Sequence, residues 1–219
     1  MRSIDDARAV VMTDKIGRPP LALFSSIRYN DGMKYVQQIE AFQPSCEQER
    51  CDRALVLSLV QKDPALALTR GSAAAHMTAS SMIFNPSRDR VLLAFHKLYQ
   101  SWAWTGGHAD GDGDLLAVAL REAQEETGIV SVRPLSPDIL TLDVLPVWGH
   151  VKRGAYVSTH LHLNVSYALV ASEDQALYVR PDENEGVRWI EIDQLEQFVS
   201  EPEMLPVYRR LIASGRKLP

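Results

Sequence analysis

The chain has 219 residues, 46% hydrophobic and 23% charged, with a net charge of −5, which fits one substantial globular domain plus an extension, or two small domains. The acidic balance argues against nucleic acid as an obligate partner, because phosphate-backbone binding draws on clustered Lys and Arg. No apolar run nears the roughly 20 residues of a membrane helix, and Asp5 and Asp6 do not suit a signal peptide, so no membrane partner and a cytoplasmic location are expected.

Residues 1–34 are weakly patterned, with breakers at Pro19-Pro20 and Asn30-Asp31-Gly32. The expectation is a poorly packed segment, an overextended start ahead of Met33. A helical arm is expected over residues 35–75. Its main helix runs from about Cys46 to Lys62, opened by a Ser45–Gln48 capping box and stopped by Asp63-Pro64. Cys51, Leu55 and Leu59 fall at helical spacing and suggest the packed face. Cys46 and Cys51 point to different faces of that helix and read as free or buried thiols rather than a zinc pair.

A second domain is expected over residues 76–219. Ala79–Phe84 and Val91–Phe95 read as strands joined by a hairpin connection at Asn85–Asp89. A short extended piece at Trp102–Trp104 leads into a glycine-rich loop and one long helix. Further strands are read at Leu140–Val147, Tyr156–Val170 and Val187–Ile190, and helices at Asp193–Val199 and Glu203–Ile212. The pattern predicts an α/β fold, a mixed sheet covered by helices.

The helix after the glycines carries the chemistry. Asp114 is a natural N-cap and Gly128 a natural left-handed stop. Leu116, Ala119, Leu120 and Ala123 form an apolar stripe. Glu122, Glu125 and Glu126 stand at i, i+3 and i+4, so their carboxylates share one face. Such a cluster is ordinarily a solvated surface. Here it follows four glycines, Gly106, Gly107, Gly111 and Gly113, which let backbone approach a ligand closely. Hard oxygen donors so concentrated suit Mg²⁺ or Mn²⁺, which would cancel their repulsion.

This stretch resembles the Nudix box: Gly107 matches its first glycine, and Arg121, Glu122, Ala123, Glu125, Glu126, Gly128 and Ile129 match its distal half without a gap. Gly113 stands where the box has its first Glu. Similarity of layout extends from about His76 to Leu211. The segment from Tyr35, with Pro44, Glu47 and Gln48, the AHMTAS run and SWAWTGGHADG, is similar to a bacterial Nudix subgroup.

The resemblance implies a Nudix α/β/α sandwich with an N-terminal helical extension. It implies a metal-dependent pyrophosphohydrolase that cleaves a nucleoside diphosphate derivative or related small molecule with Mg²⁺ or Mn²⁺. It implies Glu122, Glu125 and Glu126 as metal ligands, the Gly107 carbonyl as a further one, and Arg121 as the residue that normally pairs with the missing Glu. Glu183 resembles the downstream acid that some members use as base. A rival reading is a catalytically weak nucleotide-binding or regulatory Nudix domain, because Gly113 breaks the box. A diphosphate isomerase would need a core cysteine, and both cysteines precede the domain.

Weaker candidates stand beside bland readings. His108 either touches phosphate or steadies the loop. His160 and His162 alternate with Asn164, so this strand face either lines a substrate cleft or is half-exposed surface. Trp104, with Trp102, either stacks on a base or packs in the core. Lys152 and Arg153 read as a solvated turn. A homodimer is compatible with the sequence, which does not decide oligomeric state.

Overall fold

The computed structural model describes residues 29–219 apart from 153 and 183, with side chains from Lys34 onward and without that of Lys152. Three helices come first, α1 (Tyr29–Ala41), α2 (Glu47–Val60) and α3 (Pro64–Ala67). Then follow β1 (Ala75–Phe84), β2 (Arg90–His96), β3 (Ser101–Ala103), β4 (Thr105–His108) and α4 (Leu115–Thr127). The remainder is β5 (Val132–Pro134), β6 (Thr141–Val147), β7 (His150–Lys152), β8 (Ala155–Val157), β9 (His160–Ala171), β10 (Asn184–Glu191), α5 (Leu195–Phe198) and α6 (Met204–Gly215). No helix among the described residues is long and apolar enough to cross a membrane.

The sheet runs β10-β2-β1-β9-β5, with β3 on β2, β4 on β1 and β6 on β9. β1 and β9 are parallel, pairing His76 with His162 and Ser80 with Ser166; the other pairs are antiparallel. Every residue of β1 is buried, as a central strand covered on both faces requires. Successive side chains alternate between those faces. Met77, Ala79 and Ile83 pack with residues of α1, α2 and α4, whereas Met82 and Phe84 pack with residues of α5 and α6. The expected α/β/α sandwich with a mixed sheet is the observed fold.

Several local expectations need correction. α1 runs through Asn30-Asp31-Gly32, which read as a break; the expectation for residues 1–28 falls outside the described residues. The capping interaction of α2 is shifted by one residue. Glu49 Oε2 accepts from the Ser45 N–H at 2.6 Å and from its hydroxyl at 2.8 Å, while Gln48 reaches Asp143 at 3.4 Å. The packed face of α2 carries Glu49, Val56 and Val60, not Cys51 and Leu55, which are exposed.

Apolarity alone selects the wrong stripe because the buried one contains a charge. Arg210 of α6 donates to Glu49 at 3.1 Å and also bonds Asp143 of β6. That network joins the arm to the sheet and to the last helix. Both cysteines are free and exposed. The long strand expected from Tyr156 is interrupted after β8, which pairs with β7 in a separate hairpin turning at Gly154, φ 79°.

Candidate active site and its cleft

The glycine stretch is half strand, half turn. Gly106 and Gly107 lie in β4, opposite Ser80 and Ala79 of β1, which the reading of a continuous loop missed. A Cβ on Gly106 would meet the Ala79 carbonyl oxygen at 2.9 Å, so the close strand approach itself demands glycine. The turn proper begins at Asp110 (φ 46°) and Gly111 (φ 94°). Arg70 grips Asp110 through two hydrogen bonds of 2.8 and 2.7 Å and holds its carboxyl below the usual range.

α4 begins and ends where the sequence places it. Asp114 accepts from the Ala117 N–H at 3.1 Å, and Gly128 ends the helix at φ 75°. A Cβ on Gly128 would also press within 2.7 Å of the Tyr178 ring. Leu115, Val118, Ala119 and Ala123 are buried against the sheet, which turns the glutamates toward β4.

Each glutamate has a different environment. Glu126 is buried and accepts from the Gly106 N–H at 3.0 Å. Glu122 lies against Gly107 so tightly that a Cβ there would stand 2.5 Å from its carboxyl carbon. Glu125 is more exposed and pairs with Arg180 at 2.8 Å. Arg121 donates to Asp112 at 3.4 Å and approaches Glu122 at 3.9 Å. Asp112 thus occupies Arg121 in the absence of a carboxylate at position 113.

All three carboxylates border one cavity of about 710 Å³, together with Lys97, Arg121, Arg180 and the backbone of Gly106 and Gly107. A second cavity of about 450 Å³ shares Gly106, Gly107, His108 and Glu126 and extends under α6. Its floor is a polar ladder across β1 and β9. Asn164 accepts from Thr78 and Ser80, both at 2.9 Å, and donates to Ser166 at 2.9 Å. Trp104 and Tyr208 form one wall, their rings 5.1 Å apart and edge to face.

The structure therefore gathers Gly107, His108, Arg121, Glu122, Glu125 and Glu126 at one cavity, and Trp104, His160 and His162 at its neighbour. Trp102 packs on Phe95 and Phe198, under the Arg188 guanidinium. Glu183, Arg153 and the Lys152 side chain fall outside the described residues. Sequence reasoning missed Arg70, His76, Lys97 and Arg180. His76-x-Thr78-x-Ser80 has the same alternation as His160-x-His162-x-Asn164, and that parallel was the available signal. Burial pushes His76 below the usual histidine range and, with its histidine neighbours, pushes His162 much further down.

A family model described as the NUDIX domain matches residues 75–212. No curated protein sequence matches the chain. Among solved structures, an Ap4A hydrolase of C. elegans in a binary complex is 18% identical, covering 63% of this chain and 95% of that one, TM-score 0.46. The Nudix hydrolase RenU of M. smegmatis is 17% identical, covering 67% and 88%, TM-score 0.45. The NUDIX domain of Shewanella oneidensis NrtR complexed with ADP ribose is 20% identical, covering 68% and 90%, TM-score 0.44.

Proposed function

This chain belongs to the Nudix family, and on that premise we propose that it hydrolyses a diphosphate bond in a nucleoside diphosphate derivative or related small molecule, with Mg²⁺ or Mn²⁺ held by Glu122, Glu125 and Glu126. The observation that carries the reading is that these carboxylates share one cavity with Lys97 and Arg180. Oxygen donors for a hard cation and side-chain cations for phosphate meet in the same space.

The residues fit the metal. The set is all oxygen, with the Gly107 carbonyl as a further donor, and Gly107 leaves Glu122 room that any side chain would take. Glu125 is tied to Arg180, but both are more than a third exposed, and such a pair is worth about 0–1 kcal/mol. So weak a pairing would cost little to give up if Glu125 turned to a cation, and the Arg180 guanidinium lines the same cavity, where it can face a phosphate oxygen. When bound, the cation supplies Lewis-acid polarisation of the phosphoryl group and activation of water.

The chain's own groups do the remaining work. Lys97 and Arg180 neutralise the diphosphate and hold it along α4. The Glu126–Gly106 bond fixes the helix against β4, so that ligands and glycine backbone keep their spacing. Trp104, beside Tyr208, offers an aromatic edge to the group attached to the diphosphate. Glu183, which matches the downstream acid of some Nudix members in the sequence, is the proposed base.

Wild type, Glu125→Gln and Glu183→Gln are assayed on a panel of nucleotide sugars, dinucleotides and nucleoside triphosphates with Mg²⁺, Mn²⁺ or EDTA. Turnover of at least one diphosphate only with metal, and its near-complete loss in Glu125→Gln, is the expected result. Equal turnover in EDTA overturns the metal role. Full activity of Glu183→Gln removes that residue as base.

A further inference from the structure

Four histidines from three strands converge at the end of the second cavity. His76 (β1) registers with His162 (β9), and His160 lies two residues before His162 on the same strand. His108 ends β4, the antiparallel neighbour of β1. One potential ligand atom from each ring lies within 4.8 Å of every other. The ring centroids of His76 stand 5.0, 4.9 and 5.4 Å from those of His108, His160 and His162.

The rings are also oriented from behind. His76 Nδ1 is 3.0 Å from the Ser72 carbonyl oxygen, and His160 Nδ1 is 2.8 Å from that of Ser158. A carbonyl only accepts, so each Nδ1 carries the proton and each Nε2 keeps its lone pair. Metal-ligating histidines are held in this way, by an outer hydrogen bond that fixes tautomer and ring direction. The Nε2 atoms of His76 and His162 are buried with no hydrogen-bond partner. A buried polar nitrogen without a partner is unfavourable, so the arrangement is costly unless something else binds there. Burial favours the neutral imidazoles that coordination needs.

We propose that His76, His108, His160 and His162 form a binding site for a divalent transition metal of zinc's class, separate from the carboxylate face of α4. Imidazole donors favour Zn²⁺, Co²⁺ or Ni²⁺, whereas carboxylate oxygens suit Mg²⁺. Tetrahedral Zn²⁺ with bonds of about 2.1 Å places its nitrogens about 3.4 Å apart. The cluster reaches that spacing by small ring movements. The four histidines line the cavity that Trp104 and Tyr208 also border, so an ion held there would add positive charge facing any anionic ligand.

The test reads metal, not turnover, so an inactive protein still answers it. Full-length protein stripped with EDTA is titrated with Co²⁺ and followed by its visible absorption, with Zn²⁺ as competitor and bound zinc counted by elemental analysis. Wild type and Glu125→Gln/Glu126→Gln should each bind a single Zn²⁺ per chain with a nitrogen-ligand cobalt spectrum. His162→Phe and the milder His108→Gln, each checked for folding by near-ultraviolet circular dichroism, should bind it at least about 100-fold more weakly. Wild type that retains no zinc, or binding lost in the glutamate variant and kept in both histidine variants, overturns the site.

Discussion

The Glu122 carboxylate rests on the Cα of Gly107, with no space between them for a methyl group. A Cβ at position 107 would stand 2.5 Å from the carboxyl carbon and 2.7 Å from Oε1. This contact couples the first glycine of the box to its first remaining glutamate.

Gly107→Ala should therefore push the Glu122 carboxylate out of place. All the close contacts are with the end of the flexible Glu122 side chain, which can swing aside, so stability should fall by less than about 1 kcal/mol. The catalytic loss should be larger, about 100-fold or more in kcat/KM, because Glu122 is one of the proposed metal ligands. Melting curves and steady-state kinetics check this. Unchanged kinetics would detach Glu122 from catalysis.

Arg121 gives a second prediction. It bonds Asp112 at 3.4 Å, one residue before Gly113, where the box has its Glu. Gly113 is not among the residues with positive φ, so its backbone admits a side chain. Asp112→Ala should lower Mg²⁺ affinity and loosen the turn, and Gly113→Glu in that background should restore what is lost. Substrate preference should not change. Mg²⁺ titrations of the single and double variants decide it, and an additive loss would show that position 113 cannot take over from Asp112.

The resulting balance between legible and hidden features follows from the range of each signal. Asp114, Gly128 and the glutamate triplet were readable because caps and i, i+3, i+4 faces are local. The histidine cluster was not, since His76 and His162 meet only through the parallel pairing of β1 with β9. The packed face of α2 was misread for a related reason. Glu49 is buried only because Arg210, far along the chain, reaches it. Trp102 and Trp104 both pack, partly buried, against the core cluster under α5 and α6, and Trp104 also borders the cavity. Gly106 read as loop because its requirement for glycine comes from the approach of β1, not from a turn.

The buried network provides a pH test. Asp143 is pushed up from 3.8 to about 6, because burial, aided by Glu49 and Asp52, outweighs the pull of Arg210. Its folded-state pKa is above its unfolded one, so folding takes up a proton between them and stability falls as pH rises through that window. Asp143→Asn lacks this titration. Wild type should lose on the order of 2 kcal/mol relative to Asp143→Asn between pH 4 and about pH 7, and nothing further above it. Urea unfolding of both proteins across that range measures it; a constant difference would contradict the burial argument.

Glu126→Gln tests most directly the proposal that the α4 glutamates hold a divalent cation for diphosphate cleavage. The variant keeps a carbonyl oxygen to accept from the Gly106 N–H but loses the negative charge. Initial rates on the best diphosphate substrate are measured for wild type and Glu126→Gln, with Mg²⁺ varied from none to saturation. Wild type should show no turnover without metal, and the variant should lose about 100-fold or more with its fold intact. A metal-independent wild type, or a Glu126→Gln enzyme with the full rate and the same Mg²⁺ dependence, would contradict that proposal.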